Sequence, residues 1–466
     1  MEPLISFNDT STNIVNNNFN ENSIINKITN QDINENCYNI NTKKDNNFEI
    51  NSNNNITNNN ELSNIQKINS IKYLLLLNFA TPLIILYMYK TFLDQNNDTT
   101  TKEIQIVTHI IRSMWSLSLF FCLTSLNVYV WELFNIDYKS IFKLKEYSNY
   151  IDIQQTDNSN NKIFLYLFKR SIILFSILTI TLIINNFQNN NLFYNKNYGY
   201  NIPVLILIWS IFFSVIFYDH FLRSVLINSL ILIIKSPFKS ISFLSFWIAD
   251  QITSLSIFLK DFNITLCFLF SFLNIDFCFN HFKWLSPIIL SLPFIFRISQ
   301  CIRVYYDTNN RLQLFNAYKY FIGLVVLFFS NLYHNFYHIP EFKIYWILFA
   351  TSGTLYSYYW DVVRDWGLFE NNCFRIKPNF LLRDQLLYIY KPFYYYSIIS
   401  NLIMRFNWTI LINPSLFGFK LNNEFVIGTF LISIDIIRRC QWNFFRMEYE
   451  QITINNNKNQ SIKNII

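Results

Sequence analysis

The sequence predicts an all-α fold, a polytopic transmembrane helical bundle of about ten spans with both termini in the cytosol. The chain of 466 residues is 52% hydrophobic and only 14% charged, and it contains 49 Phe but only 6 Gly. A soluble chain of this length normally carries more charge and more glycine. In addition, apolar runs of spanning length recur after residue 70, and basic residues concentrate in alternate loops between them.

The first part of the chain differs from the rest. Residues 1–70 are polar and rich in Asn, with runs such as "NNNITNNN". Such a segment cannot bury a core, so we expect a disordered cytosolic tail. We then expect N-terminal transmembrane helices over 71–240, a second transmembrane region over 241–450 and a cytosolic tail over 451–466.

Apolar runs of about 20 residues, the length that crosses a bilayer, follow the tail. A further segment, "SVLINSLILIIKSPFKSIS" (224–242), carries Lys235 and Lys239 beside Pro237, which favours an interfacial helix. The predicted spans are 73–93, 109–132, 163–186, 202–221, 245–269, 284–304, 317–334, 344–363, 393–412 and 425–445.

The basic residues predict the orientation of these spans. With the N-terminus in the cytosol, the loop after the second span contains Lys139, Lys143 and Lys145, whereas loops on the opposite side carry about one basic residue each. Basic residues are enriched in cytosolic loops. The net charge of +7 therefore needs no nucleic-acid partner.

The sequence lacks the motifs of several functional classes. The sequence has no HExxH, no GxSxG and no phosphate-binding glycine loop, and its five His show no spacing typical of metal ligands. The seven Cys form no CxxC pair, so we expect buried small residues in helices rather than a disulfide framework. The sequence therefore predicts neither an enzyme, nor a metal site, nor a bound cofactor.

Ionisable residues inside membrane spans are costly and indicate function by default. Arg405 lies midway along the apolar run "LIMRFNWTILI", too deep to reach the interface easily. Asp361 and Asp365 are four residues apart and share a helix face, so they need a cation, a proton or water. For this pair, function and a structural cluster remain equally open. Asp250, considered alone, is expected to cap or end a helix.

The last span contains three charges within five residues. Asp435 and Arg439 are four residues apart and can pair, while Arg438 points about 100° away from Arg439. With Lys319 and Arg405, these residues predict a polar cavity whose guanidinium groups suit an oxyanion. The carboxylates would neutralise the empty site and exchange partners when the anion enters. Elsewhere, Arg303 and Asp307 have the spacing of a helical ion pair.

Six segments occur in order, and together they resemble the EXS domain family over about 240–450. The family includes the xenotropic and polytropic retrovirus receptor type of phosphate exporter, the plant PHO-type exporters and the yeast ER-retention-defective protein. The segments are "FWIADQITSLS", "RISQCIRVYYDT", "NAYKYF", "YYWDVVRDWGLF", "MRFNWTI" and "RRCQWNFFRMEYE".

The chain departs from the family pattern in three respects. Val304 and Tyr306 stand where the family commonly has basic residues, and Asp435 stands where it often has Glu. The Asn-rich tail also has no basic helical bundle of the SPX type. The chain therefore resembles the shorter, SPX-less branch, which includes the yeast ER-retention-defective protein.

The resemblance implies movement of inorganic phosphate across a lipid bilayer. It further implies a Golgi membrane location, return of lumenal phosphate to the cytosol and support for the retention of Golgi glycosyltransferases; a homodimer is left open. The alternatives are a plasma-membrane phosphate exporter and a non-transporting sorting adaptor that uses loop residues Arg375, Lys377 and Arg383. The implied phosphate path contains Asp250, Lys319, Tyr320, Asp361, Asp365, Arg405, Asp435, Arg438 and Arg439, with Trp408 as a gating aromatic.

Overall fold

The computed structural model describes residues 102–144, 162–190, 202–271, 275–336, 338–369, 381–414 and 424–463. The tail (1–70) and the first predicted span (73–93) lie outside these residues. Within them, helix follows helix and there is no strand. The α-helices are α1 (Lys102–Leu133), α2 (Tyr138–Ile141), α3 (Lys162–Asn190), α4 (Ile202–Tyr218), α5 (His220–Ile234), α6 (Phe243–Ser254), α7 (Ser256–Phe270), α8 (Ile275–Thr308), α9 (Leu312–Asn335), α10 (Pro340–Tyr359), α11 (Lys391–Arg405) and α12 (Glu424–Lys463).

The predicted all-α membrane architecture is confirmed. Among the described residues, four helices (within α1, α3, α8 and α9) are long and apolar enough to cross a membrane. The pairs α4–α5 and α6–α7 are bent by 91° and 74°, and counting each pair as one span raises the number to six. The total of ten spans and the cytosolic termini stay predictions.

The segment predicted to be interfacial forms α5 and the turn after it. The carboxylate of Asp219 caps α5 by accepting a hydrogen bond from the backbone N–H of Phe221 at 3.0 Å. Arg170 of α3 holds the same corner, donating to Asp219 at 3.2 Å and to the carbonyl of Val215 at 3.0 Å. The helix ends at Ile234, shortly before Pro237, which cannot continue a helix.

The predicted span 245–269 is not one continuous helix. It breaks at Leu255, where α6 ends and α7 begins at 74° to it. The residues before the break include Thr253 and Ser254, whose hydroxyl groups can compete with backbone hydrogen bonds. The Thr253 hydroxyl donates to the carbonyl of Asp250 at 2.7 Å. The break leaves polar groups in the middle of the bundle.

Helical geometry also changes at two further positions. α10 continues into a π-helical turn over Trp360–Asp365, in which the N–H of Trp366 donates to the carbonyl of Asp361 at 2.9 Å. α11 continues into a 3₁₀ turn over Asn407–Leu411. Single π turns occur frequently at functional sites. Both turns lie beside charges that the sequence singles out.

A disulfide joins Cys267 and Cys278, so the expectation of buried, unpaired cysteines is wrong for this pair. Helices α7 and α8 pack against each other, and the two Cα atoms lie 5.8 Å apart although the cysteines are 11 positions apart in sequence. Cys122, Cys301 and Cys440 are buried and form no disulfide, as expected. The disulfide lies at the end of these helices predicted to face the lumen, and disulfides persist in oxidising compartments.

Helix α1 is the enclosed centre of the bundle and packs against α3, α7 and α12. The guanidinium of Arg112 forms two 2.6 Å hydrogen bonds with the buried carboxylate of Asp261 on α7. On α12, a Cβ at Gly428 would lie 2.3 Å from Nη1 of Arg112, so a larger residue there would force the Arg112 side chain to shift. These contacts fix α12 against α1 and α7.

Candidate anion-binding site

A cavity of about 340 Å³ lies between the α6–α7 break and helices α9 to α12. Eight of the ten site residues predicted from the sequence line it; Asp250 and Asp365 do not. Four cations therefore face two carboxylates, an arrangement that favours an anion. The cations are Lys319, Arg405, Arg438 and Arg439, the carboxylates are Asp361 and Asp435, and Tyr320 and Trp408 are the two aromatic members.

Asp361 is the central anion of the cavity and is only 1% exposed. It accepts hydrogen bonds from Nε of Arg405 at 3.0 Å and from Nη2 of the same side chain. It also accepts from Asn401 at 3.2 Å. The deep position of Arg405 thus has a structural explanation, because its charge is paired across helices.

Arg438 has looser partners. Its Nη1 lies 3.8 Å from Oδ2 of Asp361 and its Nε lies 3.7 Å from Oδ1 of Asp435. Both distances exceed hydrogen-bond length. The side chain is 8% exposed, and its buried Nη1 has no hydrogen-bond partner. Arg438 therefore combines a full charge with donors that a bound anion can accept.

The predicted pair between Asp435 and Arg439 is wrong. Asp435 faces Arg438 instead and accepts a hydrogen bond from Asn407 at 3.3 Å. Arg439 turns to the α6–α7 break, where it donates to Ser254 at 3.0 Å and to Thr253 at 3.1 Å. Hydroxyl groups orient a guanidinium without neutralising it, so Arg439 keeps its charge for the cavity.

Lys319 is held weakly at the other side of the cavity. Its Nζ lies 3.9 Å from Oδ2 of Asp365, and 4.7 Å and 5.5 Å from the ring centroids of Tyr320 and Trp360. Asp365 also accepts a hydrogen bond from the indole of Trp442 at 3.2 Å. As predicted, Asp365 has a cationic partner, and that partner is Lys319 of α9 rather than a residue of its own helix.

Asp250 lies behind the cavity. The sequence alone suggested that it caps or ends a helix, but Ser242 caps α6. Asp250 is 2% exposed, and its carboxylate pairs with Arg297 at 2.8 Å and accepts a hydrogen bond from the hydroxyl of Tyr320 at 2.7 Å. Asp250 therefore fixes the orientation of a cavity-lining tyrosine. Arg297 lies in the predicted span 284–304 but is not among the site residues predicted from the sequence.

Trp408 lies in the 3₁₀ turn after α11 and lines the cavity. Its indole N–H donates to the hydroxyl of Thr354 at 3.0 Å, and its ring centroid lies 5.7 Å from that of Trp346. One hydrogen bond and a ring contact with α10, together with a ring contact to Phe406 at 6.4 Å, hold the side chain. Such a side chain can move without unfolding its surroundings.

The sequence does not reveal the hydroxyl groups that complete the cavity. Ser254, Ser256, Thr354 and Ser357 line it. For Ser254 and Ser256, the only sequence signal is that they lie close to Asp250 in an otherwise apolar segment. Thr354 and Ser357 carry no signal, because single hydroxyl residues are common in membrane helices.

Comparison with known proteins shows the family of the chain. The EXS family matches residues 107–452. The chain is 33% identical over 247 residues to Solute carrier family 53 member 1 of Mus pahari, covering 49% of this chain and 35% of that protein. It is 32% identical over 382 residues to SPX and EXS domain-containing protein 1 of Dictyostelium discoideum, covering 79% of this chain and 39% of that protein.

A third relative is the Xenotropic and polytropic retrovirus receptor 1 homolog of Xenopus laevis, 32% identical over 244 residues, with 49% of this chain and 35% of that protein covered. The match thus spans little more than a third of the length of these relatives. The family match, by contrast, takes in every charged residue of the cavity. The chain belongs to the EXS family.

Proposed function

We propose that this protein moves inorganic phosphate across a membrane through the cavity. The observation that carries the proposal is the excess of four cations over two carboxylates in a space of about 340 Å³. Guanidinium groups match phosphate oxygens with paired donors. The resemblance to phosphate exporters supports phosphate as the anion, and the name of one set of relatives describes a solute carrier.

Two of the cations in the cavity share one carboxylate. Asp361 binds Arg405 tightly and Arg438 loosely. An entering phosphate first binds the free donors of Arg438 and then competes with Asp361 for Arg405. When the anion leaves, the carboxylate takes the guanidinium back. Because binding must be weak enough to permit release, this exchange suits passage better than storage.

Trp408 is the proposed gate. Its indole closes one wall of the cavity through the hydrogen bond to Thr354. Breaking one hydrogen bond costs about 0.5–1.5 kcal/mol, which is small enough for frequent opening. We therefore assign gating to rotation of Trp408 rather than to movement of a whole helix.

For location, we propose the Golgi membrane, with phosphate returned from the lumen to the cytosol and retention of Golgi glycosyltransferases supported. The resemblance to the yeast ER-retention-defective protein is the support. A plasma-membrane exporter would use the same chemistry. Imaging a tagged copy against Golgi and surface markers separates the two, and a signal at the cell surface alone would reject the Golgi assignment.

The sorting-adaptor alternative receives little support from the structure. Of its three basic residues, Arg375 and Lys377 lie outside the described residues. Arg383 is 5% exposed and pairs with the buried carboxylate of Glu448. A side chain held in this way is poorly placed to bind the tail of another protein.

The test is radiolabelled phosphate flux in proteoliposomes that contain the purified chain. We expect saturable flux in the unaltered protein and its loss in the Arg438→Ala, Arg439→Ala double variant. Arg303→Ala is the matched control, because Arg303 pairs with Asp307 on the exposed side of α8 and does not line the cavity. Undiminished flux in a folded double variant would reject the site assignment.

A further inference from the structure

A second, smaller cavity of about 50 Å³ lies beside the first, at the end of α8 and the start of α9. A water molecule needs about 10–15 Å³ of such volume, so the space suits a few waters or one small oxyanion. Six of its ten lining residues have charged or amide side chains, and the others are apolar or aromatic. The charged and amide side chains are Arg364, Asp365, Arg446, Gln300, Gln313 and Asn316.

Two polar atoms of this lining are buried and without a hydrogen-bond partner. One is Nε of Arg446, whose Nη1 pairs with Glu450 at 3.0 Å. The other is Oδ1 of Asn316, a side chain that is 4% exposed. Buried polar groups are nearly always hydrogen-bonded. These two therefore indicate a ligand that both accepts and donates hydrogen bonds.

The ion pair between Lys319 and Asp365 links the two cavities. Lys319 lines the first cavity and Asp365 lines the second, and 3.9 Å separates Nζ from Oδ2. Trp360 also lines the second cavity and lies 5.5 Å from Nζ of Lys319. An anion that replaces Asp365 as the partner of Lys319 can therefore pass from the first cavity to the second.

The second cavity combines two arginines with the carboxylate of Asp365. A carboxylate repels sulfate, which has no proton to donate at neutral pH. Hydrogen phosphate carries a hydroxyl group that can donate to Asp365 or to Oδ1 of Asn316 while its other oxygens accept from the arginines. The lining thus favours hydrogen phosphate over sulfate, although the two oxyanions have similar size and equal charge.

We propose that the second cavity is a second oxyanion site, and that it selects oxyanions that carry a proton, such as hydrogen phosphate, over sulfate. This inference rests on the proposed function, because it places the site in the same path. An anion would occupy the two cavities in turn, with the Lys319–Asp365 pair between them.

The test uses phosphate flux in proteoliposomes with a single orientation, measured with phosphate supplied from either side. In the Arg364→Gln, Arg446→Gln double variant, loss of charge-assisted hydrogen bonds should raise the half-saturating phosphate concentration about tenfold on the side of the α8–α9 connection. From the other side we expect a change within about twofold. Arg303→Gln, which removes a charge from the same end of α8, should change neither value.

Because Arg446 packs over Phe243 and Phe246, its loss can disturb folding. The single Arg364→Gln variant should therefore shift half-saturation on the same side. An unchanged value for both variants, or an equal change from both sides, would overturn the second site. Absence of any flux in the unaltered protein would instead overturn the proposed function, and the second site with it.

Selectivity gives an independent readout. Asp365→Asn should make sulfate a several-fold better competitor for phosphate flux, because the amide can donate to sulfate. A merely structural role for Asp365 would slow flux without changing the ratio of the two anions. An unchanged ratio in a transporting Asp365→Asn variant would overturn the proposed selection of protonated oxyanions.

Discussion

Arg438 is the cation whose removal should weaken phosphate binding most. Arg405 donates two hydrogen bonds to Asp361, and Arg439 donates to two hydroxyl groups. Nη1 of Arg438 has no hydrogen-bond partner, and its nearest carboxylate oxygen is 3.8 Å away. The Arg438→Gln variant therefore removes a charge and free donors while breaking no short internal bond.

The size of the effect follows from these contacts. One hydrogen bond to a charged group contributes about 1.5–3 kcal/mol, and about 1.4 kcal/mol corresponds to a factor of ten. Water in the open cavity screens the charge, which favours the lower end of that range. We expect Arg438→Gln to raise the half-saturating phosphate concentration roughly 10- to 100-fold.

The assay is phosphate flux into proteoliposomes over a range of phosphate concentrations. Arg303→Gln is the control, because it removes the same charge from an ion pair outside the cavity. Arg438→Lys should lie between the two, since it keeps the charge and loses the paired donors. A half-saturating phosphate concentration within twofold of that of the unaltered protein, at equal protein content, would refute the assignment of Arg438 as the loosely paired cation that binds phosphate.

Three further outcomes test other contacts. Asp361→Asn should slow phosphate release, because Arg405 loses the carboxylate that takes it back; faster turnover at saturating phosphate would contradict this exchange. Trp408→Phe removes the hydrogen bond to Thr354 and should increase flux at low phosphate, whereas unchanged flux there would remove Trp408 as a gate. Gly428→Ala should lower the melting temperature measured in detergent, since overpacking costs about 1–3 kcal/mol. An unchanged melting temperature would contradict the close approach of Gly428 to Arg112.

The sequence predicts features that depend on one helix. Arg303 and Asp307 form the predicted ion pair, with 2.9 Å between Nη2 and Oδ1, because four-residue spacing brings side chains together on any helix. The all-α class follows equally directly from the length of the apolar runs. Most predicted site residues line one cavity, because ionisable residues in membrane spans face the interior of the bundle.

Contacts between helices are not predictable in this way. Arg405 and Asp361 are 44 residues apart in sequence, and their pairing depends on how α11 crosses the π turn after α10. For the same reason, the local spacing rule assigned Arg439 to Asp435, whereas hydroxyl groups at the helix break bind it instead. The hydrophobic pattern likewise does not show the 74° bend at Leu255 or the approach of Cys267 to Cys278.

The most direct test asks whether phosphate passes through the cavity. Ser357 is half-buried and lines the cavity without a charge, so the Ser357→Cys variant introduces a thiol there. In proteoliposomes, a bulky thiol reagent should stop phosphate flux in this variant and not in the unaltered chain, and phosphate should slow the reaction. Full phosphate flux after complete modification of the introduced thiol would contradict the cavity as the path.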